Sequence, residues 1–282
     1  MDVPLNIPSV VTLETDVRPG AWIAERLVPH RDDVGVLVGE IVPSGFDAHA
    51  RLFHPARRRD GTPIRWRELA ERYGTTIHPQ MQFAHIIGTR NIHGLADTEP
   101  PFEGYVPPEE TAWLADVLAP YTATTTTCWF AVWDGYGSLG GMGRLARRPR
   151  GSEADLRRRA PDEWARAKGQ QREVATIPRM SIPSRDYFLF RGPLEAASHL
   201  VFGDAGFQSA NLWWPNDRAW CVATELDGHS TYVGGAEACI TAILGDDRFE
   251  ALPSSIDHRF DAWGDEVNAR PPGMPPRWGM PG

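Results

Sequence analysis

Four side chains hold most of the acid–base chemistry legible in this 282-residue chain. Glu225 and Asp227 stand two apart, so on a strand both point to one side. Asp134 closes a second apolar stretch, and His229 follows Asp227. If the two stretches are neighbours in a sheet, three carboxylates and an imidazole crowd one edge. Such a set can move protons, as a hydrolase or lyase without cofactor requires. The plainer reading makes Glu225 and Asp227 the solvated end of an ordinary strand. Ser230 and Thr231 come next in the chain, but a triad is assembled in space and adjacency is no evidence for one.

Metal and cofactor chemistry has less to work with. Nine histidines are present, six of them between His30 and His93. His49 and His54 are an odd number of residues apart, which sends them to opposite faces of a strand. His85 shares a face with Met81, Phe83 and Ile87 and reads as a core histidine. His78, His93 and His229 fall in loops. Cys128, Cys221 and Cys239 make no metal or redox spacing, and three cysteines make no disulfide framework, so reduced, buried thiols are expected. Nucleotide, serine-hydrolase, zincin and kinase motifs are absent. Gly140–Gly143 is glycine-rich, yet no helix with a phosphate-binding lysine follows it. No cofactor and no metal are expected.

Tryptophan is the most unusual component, with eleven in the chain. Five of them, Trp129, Trp133, Trp213, Trp214 and Trp220, lie in or beside the two most β-prone stretches. Indoles suit cores, but they also suit interface anchors. Trp214-Pro215-Asn216-Asp217 reads as a type I turn with Pro215 at its second position. Adjacent indoles ahead of a turn cannot both enter one interior, so one of Trp213 and Trp214 is expected to be an exposed anchor. Trp133, Tyr136, Trp213, Trp214, Asp217 and Arg218 are therefore the expected binding edge, for a partner protein or a small ligand.

The elements that must position these groups follow from periodicity. Residues 18–30 carry a helical stripe, 66–73 an amphipathic helix stopped by Gly74, and 109–119 a helix with acids in its first turn. Residues 34–42 and 46–53 read as a hairpin turned by Pro43-Ser44-Gly45, the second strand with a polar face of Asp47, His49 and Arg51. Residues 80–87 read as a strand. Residues 122–133 and 220–226 are apolar on both faces and read as interior strands. A strand at 186–190, a helix at 193–202, a short strand at 231–233 and a helix at 236–244 complete the order. No regular alternation of strand and helix appears, so the expectation is an α+β fold with a mixed, largely antiparallel sheet. One domain over 1–269 is expected, with a basic excursion at 140–178 and an extended Pro/Gly-rich tail at 270–282. The alternative is two lobes divided near residue 143.

Charge narrows the partners. The net charge of −8 argues against nucleic acid, whose phosphates call for a basic surface. Ten basic residues against four acids between Arg144 and Arg172 concentrate positive charge in the excursion, inside an otherwise acidic chain. No apolar run is long enough to cross a bilayer and no secretory signal is visible, so the expected setting is the cytoplasm.

The run from Asn211 to Asp227, with Ser230–Gly235 and its following helix, resembles a family of uncharacterised actinobacterial proteins. Cys128–Gly137 and Arg185–Phe190 share that likeness. The resemblance implies no activity and no catalytic residues. The turn Asp134-Gly135-Tyr136-Gly137 also resembles one in SUKH-type immunity and scaffold proteins, which are acidic α+β domains. The sequence thus supports a binding protein with a tryptophan-rich sheet edge, and alternatively a hydrolase or lyase using Asp134, Glu225, Asp227 and His229, or a SUKH-like immunity protein.

Overall fold

The computed structural model describes residues 7–136, 174–202 and 206–274. The tail from 275 and the basic excursion up to 173 lie outside the described residues. The fold is α+β, built on a nine-stranded antiparallel sheet and a small three-stranded one. In chain order the strands are β1 (Thr12–Leu13), β2 (Ala48–Phe53), β3 (Ala56–Arg58), β4 (Pro63–Ile64), β5 (Thr98–Glu99), β6 (Cys128–Trp133), β7 (Met180–Ile182), β8 (Arg185–Gly192), β9 (Leu212–Pro215), β10 (Trp220–Thr224), β11 (Ser230–Gly235) and β12 (Ala251–Ser254). The large sheet runs β1-β8-β6-β9-β10-β11-β2-β12, with β7 on β8, and the small one runs β4-β3-β5. Strands from both sides of residue 143 therefore share one sheet.

Among the described residues the α-helices are α1 (Ala21–Arg26), α2 (Trp66–Tyr73), α3 (Phe83–Ile86), α4 (Pro108–Leu118) and α5 (Glu237–Leu244). Among the described residues no helix is long and apolar enough to cross a membrane. Helix α2 ends where Gly74 takes a left-handed conformation (φ 67°), as a glycine stop should. Helix α4 starts on Pro108 with Glu109 and Glu110 in its first turn and buries Leu114 and Leu118.

Two expected strands are not there. Residues 34–42 form no hairpin with β2. Val38–Glu40 is a 3-10 turn, held because the Glu40 side chain accepts the Leu37 N–H at 2.8 Å. The true partners of β2 are β11 and β12, nearly 180 and 200 residues further on. Residues 80–87 contain helix α3 rather than a strand. Met81, Phe83, His85, Ile86 and Ile87 are all buried, so side-chain alternation carried no information about the backbone there. The helix expected at 193–202 is a 3-10 helix over Leu194–His199.

Both faces of the large sheet are covered. One face holds Phe130, Val132, Phe188, Phe190, Trp213, Trp220, Val222 and Val233 against α4 and α5. The other holds Trp129, Ala131, Leu189, Leu212, Trp214, Cys221 and Tyr232 against α1 and residues 38–42. A third cluster joins Phe53, Ile64, Trp66, Leu69, Met81, Phe83 and Ile86 beneath α2 and α3. All three cysteines are buried and unpaired.

This two-sided burial corrects the expected tryptophan anchor. Trp213 is 3% exposed and Trp214 1%. Adjacent residues of β9 do point to opposite faces, but each face has its own core. Trp213 meets Trp220 edge-on at 5.3 Å, and Trp214 meets Trp22 edge-on at 6.2 Å. The reversal also sits one residue later than expected, because Arg218 N–H donates to the Pro215 carbonyl. Substituting either indole by alanine should cost about 3 to 5 kcal/mol of unfolding free energy by denaturant titration. A variant that loses less than 1 kcal/mol would contradict this packing.

Candidate functional site

The order of the large sheet brings several loop ends to one end of its central strands. There β6, β10 and β2 finish and β8, β9 and β11 begin. A cleft of about 800 Å³ opens at this end, on the face covered by α1, where the second and third apolar clusters meet. Val28, Ile41, Phe83, Ile92, Tyr232 and Phe260 supply apolar wall. Arg51, Arg185, Glu225, Asp227, His229 and Ser230 supply polar groups from strands and turns.

Each polar group is placed by backbone pairing. Arg51 of β2 sits directly across from Tyr232 of β11. Its Nε donates to Ser230 Oγ at 3.0 Å, and its Nη1 donates to the Pro79 carbonyl at 2.8 Å. The guanidinium lies near the rings of Phe53 (4.6 Å), Tyr232 (5.7 Å) and Trp66 (5.8 Å). Alternation along β2 had marked Arg51 as part of a solvated face. That face is instead covered by the aromatic cluster under α2 and α3, and Arg51 is 2% exposed.

Glu225 and Asp227 belong to the β10–β11 turn, which the Gly228 N–H closes on the Glu225 carbonyl. Arg185, opening β8, reaches Glu225 at 2.8 Å and Asp227 at 3.6 Å. The turn is braced by Gly104, whose N–H donates to the Gly228 carbonyl. Gly104 has φ +63°, and a Cβ there would collide with the Leu226 backbone, so glycine is required. On the far wall Glu40 accepts from His30 at 2.7 Å, which raises the pKa of that exposed imidazole.

Two rings at this end of the sheet are held neutral. His54 is buried, with Nδ1 at 2.8 Å from the Phe102 carbonyl and Nε2 at 2.9 Å from Thr231 Oγ1. Burial, with His229 and Arg51 nearby, pushes its pKa down to about 4. His229 also falls to about 4, through burial first and then through Arg51 and His93.

Three of the four predicted acid–base residues, Glu225, Asp227 and His229, thus line one cleft. Asp134 does not, because β9 lies between β6 and β10 and the two interior strands are not neighbours. Asp134 pairs with Arg179 at 3.1 Å instead. None of the residues of the predicted binding edge lines the cleft, and they have structural work of their own. The Tyr136 hydroxyl donates to the Gly104 carbonyl at 3.2 Å and accepts from Asn211. Trp133 meets Tyr136 edge-on at 5.3 Å. Asp217 accepts from Thr122 and from the Ala123 and Ala219 N–H groups, and Arg218 lies over the Trp22 ring. His85 is buried as expected, 3.8 Å from an Asp265 carboxylate oxygen, though neither ring nitrogen has a hydrogen-bond partner among the described residues.

Sequence reasoning missed Arg51, Arg185, Tyr232 and Glu40. The available signal was Arg51 itself, an arginine inside the strand Ala48–Phe53 whose other polar residue is His49. Among the described residues no group of three or more His, Cys, Asp or Glu side chains could hold a metal ion. Comparison with protein-family models, with curated proteins and with solved structures finds no match, so the resemblances drawn from the sequence gain no support there.

The two depressed imidazoles set a pH dependence. Between the ordinary value of 6.5 and about 4, the unfolded chain binds more protons at these rings than the folded chain does. Their stabilisation is therefore complete above pH 6.5 and declines as pH falls toward 4. By pH 5 each ring should have removed about 2 kcal/mol. Urea titrations at pH 7 and pH 5 measure the difference, and His229→Asn should lose roughly half as much as the parent protein. A parent whose stability is unchanged between the two pH values would show that the rings are not buried neutral.

Proposed function

We propose that this chain is a small-molecule binding protein and that the cleft at the β2–β11 end of the sheet is its site. The observation that carries the reading is the cleft itself. Its volume of about 800 Å³ falls in the range of ligand pockets, roughly 300 to 1,000 Å³. Its wall is mainly apolar by area, and polar groups reach it from β2, β8, the β10–β11 turn, β11 and the segments that carry Glu40, Arg90 and Asp261. A tryptophan-edge docking surface is disfavoured, since Trp213 and Trp214 are both core residues. A cytoplasmic setting belongs to the same proposal, supported by three buried thiols that form no disulfide.

A hydrolase or lyase reading keeps Glu225, Asp227 and His229 but finds them poorly prepared. Both carboxylates face Arg185, and His229, with a pKa of about 4, is a weak base at neutral pH. A SUKH-like immunity role has no support beyond the short turn that suggested it.

Nile red, a neutral apolar dye, tests the cleft. It should bind the full chain with one-to-one stoichiometry and a blue-shifted emission. Ala84→Trp, on the half-buried wall of the cleft, should weaken that binding at least tenfold while leaving the melting temperature within a few degrees. Equal binding by both proteins, or none by the parent, would remove the cleft as the site.

A further inference from the structure

We infer that the ligand of this cleft carries a carboxylate on an apolar body, and that Arg51 is the residue that receives the carboxylate. This rests on the reading of the cleft as a ligand site and adds the ligand's charge. Arg51 lines the cleft while almost wholly buried. Its two hydrogen-bond acceptors, Ser230 Oγ and the Pro79 carbonyl, are neutral, and its other neighbours are aromatic faces. Among the described residues no carboxylate pairs with it. The nearest acidic influence is Asp265, which acts from beyond ion-pair distance and is committed to His78, Asn268 and the Gln82 N–H. A buried cation left without a counter-charge is costly, and the structures that keep one commonly present it to an anion.

Neither of the other two arginines of the cleft is both buried and free of a carboxylate, although Arg185 Nε has no partner among the described residues. Arg185 holds Glu225 and Asp227, and the exposed Arg90 donates to the Gly273 carbonyl at 2.6 Å. Arg51 is thus the buried cation of the cleft that no carboxylate among the described residues holds, and a guanidinium matches the planar carboxylate by two parallel hydrogen bonds. A doubly charged phosphate fits less well, because Glu40, Glu225, Asp227 and Asp261 also line the cleft and repel a second charge. Tyr232 beside Arg51, with Phe83, Ile41 and Phe260 elsewhere on the wall, supplies apolar surface to receive the ligand's body.

The experiment uses Nile red displacement from the full chain, with phenylacetate, hydrocinnamate and phenylbutyrate, their amides, and benzylphosphonate. At least one acid should displace the dye at a tenfold lower concentration than its own amide and than the phosphonate. Arg51→Gln and Arg51→Met should each lose the acid-over-amide preference at least tenfold, read as the ratio of the two displacement concentrations within one protein. If no acid surpasses its amide, or if the phosphonate is preferred, the inference fails even though dye binding survives. If the dye itself does not bind, the cleft reading fails first. Should the Arg51 variants not fold, the acid–amide comparison in the parent protein still decides the matter.

Discussion

The antiparallel pairing of β2 with β11 is the interaction on which the rest of the molecule depends. It aligns Ala48–Phe53 with Ser230–Gly235 over six residue pairs, joining parts of the chain nearly 180 residues apart. Through β12 on its other edge, β2 also ties in the segment after α5. The loop closed by this contact is long, yet closure entropy grows only logarithmically with length, so burial of Ala50, Leu52 and Val233 can offset it. The same register sets Arg51 against Tyr232 and lets Ser230 accept its Nε–H. A slip by one residue would turn Arg51 into the apolar face of Ala50 and Leu52, where it has no acceptor.

That dependence explains what could be seen in the sequence. Elements whose identity is local were legible: α2 with its Gly74 stop, α4 with its acidic first turn, and β6, β8 and β10 with their apolar runs. The hairpin at residues 34–53 was misread because a neighbouring β-branched stretch looked like the natural partner of β2. What decides against it is a set of hydrogen bonds: Leu37 N–H to the Glu40 side chain and Glu40 N–H to the Leu37 carbonyl tighten a 3-10 turn, while the Val38 and Gly39 N–H groups go to the His258 and Ile256 carbonyls. Residues 80–87 show the complementary ambiguity. When every residue from Met81 to Ile87 except Gln82 and Ala84 is buried, period two and period three-to-four fit equally well.

The site was legible to the extent that it is made of turns. Glu225, Asp227 and His229 were located because the end of an apolar strand is a good place for polar groups in any α+β sheet. Asp134 was misplaced because the order β6-β9-β10 cannot be inferred from the strands alone. Arg51 was overlooked for a subtler reason. Alternation correctly put it opposite the side of Ala50 and Leu52, but polar residues on one face of a strand imply solvent only when nothing covers that face. Interior strands with apolar residues on both sides, such as β6 and β10, already indicate a sheet covered twice. Applied to β2, that inference turns a routine surface arginine into a buried one.

Burial also governs which charges persist at this end of the sheet. Arg51 lies close enough to disfavour positive charge on both His54 and His229, and His229 disfavours it on His54. Three cations could not share so small and apolar a volume. An imidazole can shed its proton near neutral pH and a guanidinium cannot, so the rings become neutral and Arg51 keeps the charge. His54 then turns its two nitrogens to the Phe102 carbonyl and Thr231, extending a neutral polar network between strands. The outcome is one cation held in place by strand pairing, Ser230 and aromatic rings, in a charge state that is constant across the range where histidines ordinarily titrate. A rigid cation of constant charge, opening onto an apolar cleft, has the physical properties required to orient one end of an amphipathic molecule.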